Sequence, residues 1–258
     1  MIAMTGRMNE QQNRMANSEV LIPLELQKAD SFQMFDRIYK RYDLLNHLLS
    51  LGQDMVWRHK TARKIAVTAN QELLDLATGT GDVAFAILSR RQEIRHAYGC
   101  DMAVKMLEMA RKKALQKKMA HRVTFIQGDA GAIPFESERF HTVTMAFGIR
   151  NVVDPVVVLK EIHRVLKPGG QTLILEFSMP THPFIRCLHL FYLRNIIPLI
   201  GAILSKDKRA YRYLNETIET FPYGLSFCDL MKQAGFGNVT FAPLTFGVAT
   251  LYQGEKKI

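Results

Sequence analysis

Four acidic residues surround a glycine-rich turn and have the chemistry to bind a nucleoside. Asp75 lies in a short apolar segment, the turn Thr78-Gly-Thr-Gly81 follows it, and Asp82 begins a segment with helical spacing. Asp101 and Asp129 follow the next two apolar segments. One carboxylate can accept hydrogen bonds from both hydroxyls of a ribose, and another can accept one from an exocyclic amino group. Glycine allows the backbone to turn sharply and to approach such a ligand closely.

The glycine spacing by itself leaves the class of nucleotide open. Gly79 to Ala84 fits the fingerprint G-x-G-x-x-G/A of dinucleotide-binding proteins, and Asp101 stands where such proteins carry a ribose-binding acid. The acid at position 82 would, however, repel a pyrophosphate at a helix N-terminus. A zwitterionic sulfonium ligand meets no such repulsion, and Asp75 can anchor its amino group through water or the backbone. We therefore predict S-adenosylmethionine (SAM) as the cofactor, with an NAD-dependent oxidoreductase as the alternative.

Each residue of this site has an expected contact. Asp101 is expected to bind the two ribose hydroxyls, while Gly79 and Gly81 provide the sharp turn beside the ligand. Asp129 is expected to accept a hydrogen bond from the adenine amino group, and Ala130 to donate its backbone N–H. A single acid at the end of a strand is often only a helix cap. The prediction of a nucleoside site therefore depends on all the acids together, in their order at the strand ends.

Alternating strand and helix patterns from Glu72 onward position these residues. Such alternation is typical of a parallel sheet with helices on both faces. The last two strands are separated only by a turn at Phe246-Gly247, which predicts an antiparallel hairpin. We predict an α/β fold of the class I SAM-dependent methyltransferase type, Rossmann-like, with a mostly parallel seven-stranded sheet. The predicted strands span 72–77, 95–101, 122–127, 141–147, 171–177, 238–244 and 247–254, and the predicted helices 82–91, 102–119, 155–166 and 224–234.

The chain is expected to consist of a tail and one domain. Residues 1–30 are rich in Asn, Gln and Met and predict a flexible N-terminal tail, whereas 31–258 predict a single methyltransferase domain. An apolar segment at about 183–220 interrupts the alternation and predicts an inserted lid. N-terminal helices are expected within 31–70, at 31–42, 43–52 and 55–68.

The most apolar part of the lid, residues 183–204, does not have the composition of a membrane-spanning helix. Arg186, His189 and Arg194 interrupt it and Pro198 lies inside it, whereas a spanning helix needs ~20 apolar residues without such charges. The N-terminus has no apolar core of signal-peptide length. The three cysteines form no redox or metal-ligand spacing, so we expect a reduced, cytoplasmic location and no metal site.

Several longer motifs point to one enzyme family. Phe147-Gly-Ile-Arg-Asn151 and Tyr211-Arg-Tyr-Leu214 are far more specific than the glycine turn. The others are Phe35-Asp-Arg-Ile-Tyr-Lys-Arg-Tyr-Asp-Leu-Leu-Asn46, Leu74-Asp-Leu-Ala-Thr-Gly-Thr-Gly-Asp82, Glu161-Ile-His-Arg-Val-Leu-Lys-Pro-Gly-Gly170 and Leu175-Glu-Phe-Ser178. Over about residues 31–257, the chain resembles the ubiquinone/menaquinone biosynthesis C-methyltransferases (UbiE-like).

The resemblance implies methylation of a ring carbon of a polyprenylated quinol. Demethylmenaquinol is the expected substrate. The alternatives are 2-polyprenyl-6-methoxy-1,4-benzoquinol, a ubiquinone precursor, and another small molecule or lipid. Ala146 stands in the cofactor site where many family members have Ser, so a hydroxyl contact is lost there or is supplied by Thr144 or water. Carried over by position, the expected cofactor contacts are Thr80, Asp101, Asp129 and Ala130, with Met102 beside them.

Arg150 is the candidate for catalysis. A quinol ring carbon becomes nucleophilic when the adjacent phenol loses its proton, and phenols ionise only near pH ~10. Arginine is effectively never deprotonated, so Arg150 is expected to stabilise the phenolate or to position a water molecule. An ion pair between Arg150 and Asp154 is the structural alternative. Tyr42 is a second candidate, whereas His163 is expected to be a solvated surface residue.

The net charge of +10 suggests an anionic partner, either nucleic acid or lipid headgroups. Methyltransferases of exocyclic amines carry Asn/Asp-Pro-Pro-Tyr/Phe after the fourth strand, where this chain has Ala146-Phe-Gly-Ile149, and pyrimidine C5 enzymes need a cysteine there. We therefore expect no nucleic-acid partner, and instead peripheral association with the inner face of the cytoplasmic membrane, with Arg186 and Arg194 at headgroups. A homodimer interface and a buried lid helix are the alternative interpretations of this segment. The expected lining of a groove for the prenyl tail is Phe184, Leu188, Leu190, Phe191, Ile196, Ile197 and Leu199.

Overall fold

The computed structural model describes residues 28, 31–66, 68–199 and 208–258. The tail predicted over residues 1–30 lies outside the described residues apart from Lys28, and so does the middle of the predicted lid.

A seven-stranded sheet forms the centre of the protein. Its strands are β1 (Gln71–Leu76), β2 (Ile94–Asp101), β3 (Val123–Gln127), β4 (Phe140–Ala146), β5 (Leu166–Phe177), β6 (Gly237–Leu244) and β7 (Ala249–Glu255). Their spatial order is β3-β2-β1-β4-β5-β7-β6. The first five strands pair in parallel, whereas β7 runs antiparallel to both β5 and β6. The predicted class I methyltransferase fold with its C-terminal hairpin is therefore confirmed.

Helices cover both faces of this sheet. They are α1 (Ser31–Leu49), α2 (Gln53–Arg63), α3 (Asp82–Leu88), α4 (Val104–Gln116), α5 (Pro155–Val165), α6 (Pro183–Phe191), α7 (Lys208–Thr220) and α8 (Leu225–Gln233). Successive side chains of a strand point to opposite faces. In β1, Leu73 packs with α2, α3 and α4, while Leu74 and Leu76 pack with α5 and α8. Both faces of β1 are therefore buried, as its largely apolar sequence requires.

The N-terminal region differs from the prediction in one respect. The expected boundary between helices 31–42 and 43–52 does not exist, because α1 continues without interruption to Leu49. Neither glycine nor proline occurs between Ser31 and Leu49, so nothing in this stretch stops the helix. The change of direction comes at Gly52, whose φ of 75° is readily adopted only by glycine.

The lid segment contributes its own small core. After α6 the chain continues through a π-helical turn, Tyr192–Ile196, and α7 follows the undescribed residues 200–207. Met179, Leu193, Ile197 and Ile218 form a buried cluster between these elements and the end of β5. No helix in the described part of the chain is both long enough and apolar enough to cross a bilayer.

Candidate active site

Two cavities open where the parallel strands end, which is where open α/β sheets bind ligands. The first cavity has a volume of about 470 Å³ and the second about 310 Å³. Tyr42 of α1 and Phe147, directly after β4, line both of them. A group transferred between ligands in the two cavities would therefore pass beside these two aromatic rings.

Asp101 lies in the wall of the first cavity, at the end of β2. Its Oδ2 accepts a hydrogen bond from the backbone N–H of Gly79 at 2.7 Å, and its Oδ1 accepts one from that of Ala103 at 2.9 Å. Burial raises the pKa of Asp101, while the two N–H groups oppose the rise. Because each oxygen retains a further lone pair, the carboxylate is held ready to accept hydrogen bonds from a pair of hydroxyls.

The remaining wall of the first cavity is also suited to a nucleoside. Asp129, at the end of the neighbouring strand β3, is oriented by the N–H of Gly131, which donates to its Oδ1 at 2.8 Å. Gly148 closes the other side, where an added Cβ would lie only 2.5 Å from that of Ala77. This combination of two acids, a left-handed Gly79 and small residues fits the adenosine and amino-acid parts of SAM. The predicted contacts that line the cavity are Gly79, Asp101, Met102, Asp129, Ala130 and Ala146.

Asp75 lies beneath the glycine turn and not in the cavity wall. It is 1% exposed, and its carboxylate oxygens accept hydrogen bonds from the hydroxyls of Thr78 and Thr144, each at 2.6 Å. Burial raises the pKa of Asp75 to about 6. Its predicted role as an anchor is therefore limited to an indirect one through the turn. Thr144 is already engaged by Asp75 and does not supply the hydroxyl that Ala146 lacks.

Thr80 and Gly81 were expected beside the cofactor. In the structure, neither residue lines the first cavity, and both lie behind the turn. The Thr80 hydroxyl is buried and donates to Asp43 of α1 at 2.6 Å. Gly81 has a φ of 84°, and a Cβ there would lie 2.9 Å from the ring of Phe85, so only glycine fits. Both residues shape the turn and attach it to its neighbours.

Asp82 does not present the unpaired charge that was expected to repel a pyrophosphate. Its carboxylate pairs with Arg58 of α2 at 3.0 Å and with Lys113 of α4 at 2.8 Å, which compensate its charge. Lys113 also pairs with Asp43 at 2.6 Å. The glycine turn is thereby tied to α1, α2 and α4, and this network holds Tyr42, the neighbour of Asp43, between the two cavities.

The second cavity is largely apolar and extends from the sheet to the lid. Trp57 of α2 packs edge-on against Phe177, with ring centroids 6.1 Å apart, and both residues line it. Its lining from the lid is Ile185, Leu188, His189, Tyr192, Leu193 and Ile197.

Arg150 lines the second cavity and is 5% exposed. Its Nη1 donates to Glu176 of β5 at 2.8 Å and to the carbonyl of Phe147 at 2.6 Å. The alternative ion pair with Asp154 is wrong, because the Asp154 carboxylate caps α5 through the N–H groups of its first turn. The partner of Arg150 is instead Glu176, which is completely buried.

Two important residues of this site had no role in the sequence prediction. Phe147 has a φ of 57°, a conformation that non-glycine residues rarely adopt and that concentrates at functional sites. Its carbonyl oxygen accepts hydrogen bonds from both Arg150 and Asn151. Glu176 has one signal in the sequence, namely a charge within the apolar run from Leu173 to Phe177, and a buried charge needs a partner.

The lid agrees with only part of the predicted groove. Leu188 and Ile197 line the second cavity, and Leu190 packs against the lid cluster. The guanidinium of Arg194 donates to both carboxylate oxygens of Glu219, at 2.6 and 3.0 Å. The side chain that was expected to contact lipid headgroups therefore has a partner within the protein. Phe184, Phe191 and Leu199 are instead exposed, at 66%, 58% and 61%.

His163 lies away from both cavities, with its ring 5.2 Å from that of Phe236. Within the described ranges, no group of three or more His, Cys, Asp and Glu side chains is placed to hold a metal ion.

Comparison of the fold with solved structures shows what it shares with other proteins. A SAM-dependent methyltransferase of Thermotoga maritima has a TM-score of 0.61 at 19% identity, covering 88% of this chain and 99% of that one. The [4+2]-cyclase SpnF has a TM-score of 0.59 at 15% identity, covering 88% and 94%. Proteins whose names give different activities therefore share this fold, and the similarity to them establishes the fold alone.

Sequence comparison is more specific. A protein of Syntrophotalea carbinolica named ubiquinone/menaquinone biosynthesis C-methyltransferase UbiE is 44% identical over 89% of this chain and 95% of its own. The protein of that name from Paracoccus denitrificans is 40% identical over 86% and 89%. The model of the ubiE/COQ5 methyltransferase family matches residues 24–256. The chain belongs to the ubiE/COQ5 methyltransferase family, and its methyl donor is S-adenosylmethionine.

Proposed function

We propose that this enzyme methylates a ring carbon of a polyprenylated quinol, with demethylmenaquinol as its substrate. The observation that supports this most is the junction of the two cavities. An apolar cavity that contains Arg150 meets the nucleoside-shaped cavity at Tyr42 and Phe147. The names of the related proteins, which refer to ubiquinone and menaquinone biosynthesis, agree with this substrate class.

In this proposal the first cavity holds SAM, which supplies an electrophilic methyl group when bound. Asp101 binds its ribose hydroxyls and Asp129 its adenine amino group, while Met102, Ala130 and Ala146 line its surface. The glycine turn, supported from beneath by Asp75, positions the amino-acid end. Water is excluded from the transfer path by the rings of Tyr42 and Phe147.

The second cavity holds the quinol ring and activates it. Loss of a proton from one hydroxyl makes the adjacent ring carbon nucleophilic, and a nearby guanidinium stabilises the resulting phenolate. Arg150 provides that charge, although the Glu176 carboxylate neutralises part of it. Burial raises the pKa of Tyr42, so its hydroxyl stays protonated near neutral pH and can donate a hydrogen bond to the substrate.

A benzoquinol precursor of ubiquinone is the second candidate substrate. The specific observation in its favour is that the related proteins carry both quinones in their names. The two rings differ in width, and the aromatic wall formed by Trp57 and Phe177 favours the bicyclic naphthoquinol through greater stacking area.

Expression in a host lacking its own enzyme of this type tests the function. With methyl-labelled methionine as the precursor of SAM, we expect label in the lipid-extractable quinone fraction only when the protein is expressed, and no accompanying increase of label in RNA. Mass spectrometry should show menaquinone replacing demethylmenaquinone, with one added methyl group on the ring. Label confined to the ubiquinone precursor would reverse our choice of ring, and an unlabelled quinone fraction would refute the proposed function.

We further propose that the lid docks on an anionic lipid surface at the inner face of the cytoplasmic membrane. Phe184, Leu188 and Phe191 follow one another at helical spacing along α6, and all three are exposed. Leu188 also lines the second cavity, so this exposed apolar face borders the entrance through which a prenyl tail would pass. The net charge of +10 favours anionic lipid over a neutral surface.

Replacing Phe184, Phe191 and Leu199 together with serine is expected to reduce binding to anionic phospholipid vesicles at least tenfold, because three exposed apolar side chains are lost. Cosedimentation measures the change, and Leu115→Ser, on α4 and 69% exposed, is the matched control. Unchanged vesicle binding in the triple variant would disprove the docking. A loss of dimer in sedimentation velocity, with vesicle binding intact, would assign this face to a second copy of the chain.

A further inference from the structure

Two side chains that line the second cavity each carry a buried polar atom without a hydrogen-bond partner in the described part of the chain. Several of its polar side chains have partners: Ser50 donates to Asp54 and Trp57 to Thr245, while Tyr213 donates to Asn151 in the wall of the first cavity. Among the described residues that line this cavity, only Arg150 Nε and His189 Nε2 are buried without a hydrogen-bond partner. Buried polar atoms in native proteins are nearly always paired, so each of these two calls for a partner that the described residues do not supply.

The two atoms differ in what they can do. Arg150 Nε carries a hydrogen and can only donate. His189 is 8% exposed, and burial lowers its pKa, although Glu219 on α7 opposes this effect. The imidazole is therefore neutral near pH 7, with one nitrogen that accepts a hydrogen bond and one that donates. The two side chains thus bring one donor and one acceptor to the wall of the same apolar cavity.

A quinol that has lost one proton matches this pair. The ionised oxygen only accepts hydrogen bonds, whereas the hydroxyl on the other side of the ring has a hydrogen to donate. An oxidised quinone has two acceptors and no hydrogen, so it matches the pair less well. If the substrate is the proposed quinol, a residue of the lid can therefore help to position its ring.

We propose that His189 Nε2 accepts a hydrogen bond from the quinol hydroxyl that is not ionised, while Arg150 binds the ionised oxygen. His189 belongs to α6, and Arg150 follows β4, so the lid and the sheet would each hold one side of the ring. This contact orients the ring so that its nucleophilic carbon faces the junction of the cavities at Tyr42 and Phe147.

Substitution of His189 separates this role from a packing role. His189→Leu is expected to lower kcat/KM for a short-tailed, demethylated 1,4-naphthalenediol about tenfold, mainly through KM, which is the loss expected for one hydrogen bond. His189→Gln should recover most of this loss, because its Oε1 lies near the position of Nε2. His189→Asn places its oxygen nearer the backbone and should not. The affinity for S-adenosylhomocysteine should be unchanged in all three.

A binding measurement without turnover completes the test. Trp57, the single tryptophan, lines the second cavity, so its fluorescence reports ligand binding there. Wild type should bind the diol more tightly than its dimethyl ether, and His189→Leu should lose most of that preference.

Wild-type kcat/KM in His189→Leu, or equal losses in the Gln and Asn variants, would overturn the assignment. If His189→Leu does not fold, the comparison of Gln with Asn decides. If the wild-type enzyme methylates no quinol at all, the proposed function is refuted. The role of His189 in binding would then be tested by the fluorescence measurement alone, through the preference for the diol over its dimethyl ether.

Discussion

Asp101→Ala is expected to lower the affinity for SAM and for S-adenosylhomocysteine by roughly 10²–10⁴-fold. The carboxylate lines the first cavity with a free lone pair on each oxygen, so it can bind both ribose hydroxyls. Hydrogen bonds to a charged group contribute ~1.5–3 kcal/mol each, so two of them account for this range. The variant also releases the N–H of Gly79, which loosens the turn beside the ligand.

Isothermal titration with S-adenosylhomocysteine measures the effect of this substitution. Asp229→Ala is a suitable control, since Asp229 is an exposed acid that pairs with Lys232 in the same helix. Asp101→Asn should fall between Ala and wild type, because the amide keeps one accepting oxygen. An affinity within threefold of wild type in Asp101→Ala would mean that the ribose is bound elsewhere.

Arg150→Met is expected to reduce turnover at least ~100-fold, the typical effect of removing one group that stabilises a developing negative charge. It should also destabilise the fold by ~3–5 kcal/mol, because Glu176 would be left as a buried charge without its partner. A loss of activity in this single variant would therefore not distinguish a chemical role from a structural one.

The double variant Arg150→Met with Glu176→Gln separates the two roles. Removing both charges should restore most of the stability, since no unpaired charge is left in the interior. Denaturant unfolding and S-adenosylhomocysteine titration should then approach wild type, while turnover stays as low as in the single variant. If turnover returns together with stability, Arg150 serves the fold and the proposed stabilisation of the phenolate is wrong.

The strands, most of the helices and the two acids of the first cavity were predictable, because their signals in the sequence are local. Alternating and helical apolar periods identify each element within a few residues of its own sequence. Parallel strands bring their carboxyl ends to one edge, so Asp101 and Asp129, which end neighbouring strands, had to lie together. The longer motifs added the family, which the glycine turn could not, because its spacing suits more than one nucleotide.

The break expected after residue 42 shows where local reading failed. The sequence prediction ends this helix at residue 42, but no glycine or proline stops it before Leu49, and Asp43 inside it pairs with Thr80 and Lys113 from other elements. The same distant contacts compensate Asp82, which local reasoning treated as an isolated charge.

The direction and the partner of each side chain were decided by the tertiary structure. Asp75 faces inward because β4 places Thr144 beside it, and this pairing joins residues that are 69 apart in the chain. Arg150 pairs with Glu176 and not with Asp154, because β5 lies next to β4 while the helix cap already occupies Asp154. The pairing of strands distant in sequence depends on how the whole sheet assembles, and no local period encodes it. The chain sequence alone therefore determined the fold and the cofactor class. Only the folded sheet decided which acids reach the ligand, and only the packed lid placed His189 in the wall of the second cavity.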